Sequence, residues 1–159
     1  MKIAIGSDHR GDEAARSLVE SLRRNGHEPI VVGPCDGQSR DYPDEAYLVA
    51  RAVTGGAADR GVLICGSGNG ICIAANKVDG ARAAIGYSIE AAEMARRHND
   101  ANIICFSGDH TDHRVIARAV DAFLRAEFEG GRHARRVKKI QAIESGRDPA
   151  DVTESAPST

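Results

Sequence analysis

Tryptophan is absent from this 159-residue chain, and aromatic residues together make up only 4%. A protein that held single-stranded nucleic acid by stacking bases would need an aromatic platform, and none is visible. Charge of one sign is not in excess either. Twenty-one basic against 23 acidic side chains give a formal net charge of −2, which argues against bulk attraction to nucleic acid or to an anionic membrane. No apolar run approaches the roughly 18 residues of a membrane span. Cys35, Cys65, Cys72 and Cys105 contain no metal-like CxxC pair, so free thiols in a reducing, cytoplasmic setting are expected. The first strand pattern starts at Lys2, so no signal peptide is expected. What remains is a composition of 42% hydrophobic and 28% charged residues, which is that of a globular domain. A chain of this length buries roughly 68–70% of its unfolded surface and needs no disulfide or metal to stay folded.

Short apolar runs alternate with stretches of helical periodicity. Lys2–Ser7, Pro29–Val32, Gly61–Cys65, Ala81–Gly86 and Asn102–Ser107 read as strands. Glu13–Asn25, Asp44–Thr54, Gly70–Lys77, Ile89–His98 and Asp112–Glu127 read as the helices between or after them, and Arg132–Glu144 as one more beyond Gly130-Gly131. Strands alternating with helices imply βαβ crossovers and a mainly parallel sheet covered on both faces. Val62-Leu63-Ile64-Cys65 is continuously apolar, as suits a strand buried on both sides. Residues 145–159 lack periodicity and read as a mobile tail after a single domain spanning residues 1–144.

An open parallel sheet places its ligand crevice at the C-terminal strand ends. Asp8-His9 follows the first run, Cys65-Gly66-Ser67-Gly68-Asn69-Gly70 the third, and Gly108 to His113 the fifth. His98-Asn99 closes the fourth helix just before the fifth strand, and these polar clusters are expected at one rim. The alternating glycines permit a tight turn whose N–H groups converge on one point, a nest for an anion or a developing oxyanion. A plain βα turn would look similar. Neither GxxxxGK[ST] nor GxGxxG is present, so the turn is not of the nucleotide-binding kinds. Cys65 could be a small core residue, or a thiolate base whose pKa is lowered at a helix N-terminus. Cys72 and Cys105 sit inside apolar patterns and read as packing residues; Cys35 falls in a loop.

Asp8 could cap the following helix and His98 could complement a helix dipole. Together with His9 and Cys65 they would supply an acid, a base and polar anchors. Five basic residues lie between Arg132 and Lys139. Arg132 and Arg136 share a helix face and could jointly grip a phosphate, although a merely solvated face has the same pattern.

Gly6-Ser7-Asp8-His9, Asp41-Tyr42-Pro43, Cys65 to Gly70, Ala74-Ala75-Asn76-Lys77, Arg96 to Asn102 and Gly130-Gly131-Arg132-His133 together resemble the type B ribose 5-phosphate isomerases, a family that includes galactose 6-phosphate isomerase subunits. The resemblance covers about residues 1–144. It implies a three-layer, Rossmann-like α/β fold with a five-stranded parallel sheet and an extra C-terminal helix. It also implies a homodimer or homotetramer with active sites between subunits, and aldose–ketose isomerisation of a sugar phosphate without cofactor or metal. By the same resemblance Cys65 is the base, His98 opens the sugar ring, Asp8 is its counterpart and Ser67 relays protons. Gly66, Gly68, Asn69 and Gly70 would stabilise an enediolate. Asn99 and Tyr42 would contact the sugar, and His9, Arg132 and Arg136 the phosphate. One family branch has glycine at the position of Cys65 and glutamate at that of Ile71, so this chain matches the cysteine branch.

One position departs from the pattern. Where the family carries an arginine after the fifth strand, this chain has Asp109. Either His110, His113 or Arg114 replaces that cation, or Asp109 points away, or the substrate is not ribose 5-phosphate. The alternatives to ribose 5-phosphate are a tetrose or hexose phosphate or another sugar; a non-catalytic sugar-phosphate-binding module is the rival of a different class.

Overall fold

The computed structural model describes residues 1–34 and 36–153, so the expectations for Cys35 and for the last residues of the tail lie outside it. β1 (Lys2–Ser7), α1 (Asp12–Arg24), β2 (Glu28–Val31), α2 (Tyr42–Thr54), β3 (Arg60–Cys65) and α3 (Asn69–Ala75) form the first half. β4 (Ala83–Ile85), α4 (Ile89–Asn99), β5 (Ile103–Ser107), α5 (His113–Arg125) and α6 (Arg132–Glu144) complete it. Every pairing is parallel, in the order β2-β1-β3-β5-β4. The five-stranded, two-faced sheet expected from the alternating patterns is therefore observed, with element ends shifted by a few residues. β4 is the shortest strand, because Arg82 already bonds to Asn102 and Asp100 outside the ladder.

The alternation of strand side chains sorts two cores. Ile3, Ile5, Val62, Ile64, Ile104 and Phe106 face α1, α4 and α5. Ala4, Leu63, Cys65, Ile103 and Cys105 face α2 and α3. Val62, Leu63 and Ile64 are wholly inaccessible, which contributes about 1.5–3 kcal/mol for each side chain. α2 can lie close on the sheet because Gly6 and Gly61 present no side chain: a Cβ on either would stand 2.7–2.8 Å from Val49 methyls. Cys72 and Cys105 are buried in the same layer, where burial and a contact with Cys72 push the Cys105 thiol well up.

The chain leaves β1 toward β2 on one side and returns to β3 on the other, so the exits of β1 and β3 flank a topological switch point. Beyond α6, Asp148 accepts the N–H of Ala150 in a short turn at Pro149–Asp151, and Lys139 Nζ donates to Pro149 O at 2.6 Å.

Candidate active site

At the exit of β1, the Asp8 N–H donates to Ile64 O at 3.1 Å, which ties the β1 exit to β3. The Asp8 carboxylate does not cap α1; Gly11 holds the N-cap position. Instead Asp8 Oδ1 accepts the N–H groups of Arg10 (2.9 Å) and Gly11 (3.1 Å), which fixes the carboxylate while leaving Oδ2 unbonded among the described residues. His9, next in the chain, is exposed.

Cys65 ends β3 and is 3% exposed, with its side chain on the α2–α3 face. Beyond it the chain is pinned to the exit of β5: Gly108 N donates to Cys65 O (2.8 Å), and Ser107 Oγ to Gly66 O (2.6 Å). The turn demands its glycines. Gly68 has φ of 79°, and a Cβ there would stand 2.9 Å from the Phe106 carbonyl carbon. Ser67 Oγ accepts the Asn69 N–H at 3.2 Å. At Gly70 a Cβ would meet the Tyr42 ring at 2.5 Å, so Tyr42 lies directly on the turn. Beyond the Asn69 N–H, which Ser67 takes, the N–H groups of Gly70 and Ile71 in the first turn of α3 have no helical acceptor and remain available to an oxyanion.

Tyr42 is placed by a buried ionic staple. Arg40 Nη2 donates to both oxygens of Asp12 (2.7 and 2.9 Å), and Asp12 also accepts from Ser7 Oγ (2.7 Å) and Gly37 N (2.7 Å). Burial pushes the Asp12 carboxyl up, but the bonds from Ser7, Gly37 and Arg40 outweigh it, and its pKa lies below the ordinary value. Glu45 stands beside Arg40 at 3.5 Å, and burial pushes its carboxyl up.

A second cluster lies elsewhere. The His98 and His133 rings stack at 4.3 Å with planes 3° apart. Glu129 Oε2 stands 3.7 Å from His98 Nε2 and 3.6 Å from His133 Nε2, while Arg97 grips Oε1 from Nε at 2.7 Å. Arg132 Nε reaches His133 Nε2 at 3.4 Å, and Arg136 is near enough to oppose protonation of His133. Burial is the larger reason that His133 titrates below an ordinary imidazole. The ligand atoms of His98, Glu129 and His133 all lie within 4.8 Å of one another, a set that could hold a metal. The guanidinium groups of Arg97, Arg132 and Arg136 oppose a dication there and suit an anion. Asn99 lines a groove of about 660 Å³ between β4 and α6, with Asn76, Arg82, Ile140 and Ile143.

The single rim expected from the sequence is corrected here. Asp8, His9, Tyr42, Cys65 and Gly66 to Gly70 gather at the C-terminal strand ends. His98, Asn99, Arg132 and Arg136 do not join them within one chain. α4 runs back against the strand direction, so its last residues fall at the N-terminal edge of the sheet, before Ile103. Ser107 pairs with Cys65 at the opposite end of β5, roughly 13 Å away at about 3.3 Å per residue.

The ribose/galactose isomerase family profile matches residues 3–140. The chain belongs to that family. Its relatives include ribose-5-phosphate isomerase B of Escherichia coli, 44% identical over 92% of this chain and 99% of that protein. A probable ribose-5-phosphate isomerase B of Mycoplasma pneumoniae is 41% identical over 89% and 94%. Among solved structures, ribose-5-phosphate isomerase B of Clostridium thermocellum is 48% identical, with a TM-score of 0.90 over 92% of this chain and 99% of that one. The Mycoplasma genitalium enzyme, solved with ribulose-5-phosphate bound, is 42% identical with a TM-score of 0.87 over 91% and 96%. Family membership makes this chain an aldose–ketose isomerase. No described helix of the isomerase is long and apolar enough to cross a membrane.

Sequence reasoning missed Arg10, Glu129 and the Asp12–Arg40 staple. Arg10 Nε donates to Asp109 Oδ1 at 2.9 Å, and its Nη2 stands 2.6 Å from Oδ2. Asp109 therefore points toward the turn, not away from it, and the bond to Arg10 holds its carboxyl below the ordinary value. No motif joins residues so far apart in sequence; only the adjacency of β1, β3 and β5 does.

Proposed function

We propose that this isomerase interconverts ribose 5-phosphate and ribulose 5-phosphate through an enediolate, with Cys65 as the base. The observation that carries this reading is the position of Cys65: the last residue of β3 at the switch point, immediately before the glycine turn and one residue beyond the Ile64 carbonyl that the Asp8 N–H reaches. As thiolate, Cys65 takes the C2 proton of the open-chain aldose and returns it to C1. The N–H groups of the turn from Gly66 to Gly70 other than that of Asn69 would face the oxygen on which charge develops, and Ser67 would move protons between the two oxygens. Asp8 Oδ2 and Tyr42 hold sugar hydroxyls.

Ring opening by His98 and phosphate binding by Arg132 and Arg136 require a second chain. These residues lie at the other edge of the sheet from Cys65, so a two-fold homodimer with the chains antiparallel would bring each set to the partner's thiol. His133 stacks on His98 and Glu129 sits beside its Nε2, which orients the ring for proton donation. Turnover of a panel of aldose phosphates tests the substrate: ribose 5-phosphate should give the highest kcat/KM. Preference for a tetrose or hexose phosphate would overturn that part of the reading while sparing the reaction type. Binding without turnover of any aldose phosphate would reject catalysis.

A further inference from the structure

The rim around Cys65 holds one ion pair that the proposed chemistry leaves unused. Arg10 comes from the loop after β1 and Asp109 from the loop after β5, and they meet across the exit of β3 as a fork, Nε to Oδ1 at 2.9 Å and Nη2 to Oδ2 at 2.6 Å. The pair rests on the first residue of the glycine turn. A Cβ on Gly66 would stand 3.1 Å from Arg10 Cδ, from Arg10 Nε and from Asp109 Oδ2. On its other side the Arg10 backbone is wedged by Gly108, where a Cβ would stand 2.6 Å from Arg10 O. The backbone of Arg10 is thus fixed, and its guanidinium lies over Gly66 and is aimed by the carboxylate, yet its side chain is 55% exposed and Nη1 has no partner among the described residues. Of five guanidinium N–H donors a fork occupies two. The neighbouring Arg40 differs: its donors are spent on Asp12, Asp36 and backbone carbonyls.

We infer that Arg10 is a specificity-determining residue of this site, the guanidinium that receives the substrate's phosphate at the Cys65 rim, and that Asp109 is the positioning residue that aims it. A bare carboxylate at residue 109 would repel a phosphate dianion. Clamped to Arg10, it is neutralised and presents the free edge of a fixed guanidinium to the crevice. His9 and His110 lie close enough to the carboxylate to lower its pKa, so the same corner gathers further donors. This role rests on reading the rim as a sugar-phosphate site, but the phosphate grip can be measured without turnover.

Calorimetric titration with inorganic phosphate, alongside steady-state kinetics on ribose 5-phosphate, tests the inference in the full chain. Arg10→Met should weaken phosphate about 10- to 100-fold and raise KM in parallel, with a smaller effect on kcat. Arg10→Lys, which keeps the charge but loses the fork, should recover part of that loss. Asp109→Ala should weaken phosphate in the native background but strengthen it beside Arg10→Met, where the carboxylate it removes has lost its partner. Arg23→Met, an equal charge change at the far end of α1, controls for long-range attraction. Phosphate affinity in Arg10→Met equal to that in Arg23→Met would overturn the role. So would tighter phosphate binding in Asp109→Ala whichever residue stands at position 10, since Asp109 would then only repel. Arg10-dependent phosphate binding in a protein that does not turn over ribose 5-phosphate would support the grip and remove the ribose 5-phosphate reading instead.

Discussion

As the proposed base, Cys65 would have to pack in a dry layer with Leu63 and Ile71 and still reach a sugar carbon, and its place on the last residue of β3 is where a strand offers both. Cys65→Ala should lower kcat by about 10²–10⁴-fold while sugar-phosphate binding persists, as the loss of a general base predicts. Undiminished turnover in that variant would reject the thiol as base. Gly70→Ala tests the neighbouring contact: the added methyl group collides with Tyr42, so KM should rise while the fold survives. His98→Asn should impair conversion of the cyclic aldose far more than the reverse reaction, because the open-chain ketose needs no ring opening. Equal losses in single-turnover measurements of both directions would contradict that role. At this scale the sequence was partly legible. The glycine turn is local and shows in the spacing, and so does the thiol before it. The direction of Asp109 was not legible, because it is set by Arg10, which reaches it only after three strands have been laid side by side.

Elements carry the residues to their places, and here the helix direction matters as much as the strand ends. The strand and helix patterns predict the observed elements to within a few residues, because each buried strand is a short apolar run and each helix has a periodic apolar face, such as Ala14, Ala15, Leu18 and Leu22 on α1. The position of His98 was misread for a physical reason: a residue that ends a crossover helix lies next to the start of the following strand, not its end. The loop before α2 was also opaque, since Arg40 finds Asp12 only in the folded chain. Removing that staple with Asp12→Ala should destabilise the protein by about 3 kcal/mol, because Arg40 is left next to a missing partner. The pH dependence has a definite sign. The pKa of Asp12 is lower folded than unfolded, so its contribution is full above the unfolded value of about 3.9 and is lost as pH falls through the folded value. Glu45, raised by burial, acts in the opposite sense: its ionisation on raising the pH through the unfolded value removes stability. Asp12→Asn should therefore flatten the loss of stability on acidification, measured as urea midpoints between about pH 6 and about pH 3. An unchanged acid slope would show that the staple adds nothing to it.

For the whole molecule, the sheet separates two sets of functional side chains by the length of β5, and one chain presents each set without the other. Asp8, Tyr42, Cys65 and the glycine turn stand at one edge; His98, Asn99, Arg132 and Arg136 stand at the opposite edge. On the proposed mechanism a complete site needs two copies, each lending one edge to the other. Complementation of inactive variants measures this directly. Cys65→Ala and His98→Asn, each severely impaired alone in the aldose-to-ketose direction, are to be co-expressed with different tags so that mixed dimers can be isolated and assayed in that direction. In a mixed dimer one site combines both lesions and the other pairs a native Cys65 with a native His98. The account predicts that purified mixed dimers regain about half of the native activity, or about a quarter in an unsorted equal mixture. Mixed dimers as inactive as either parent would contradict a site shared between subunits.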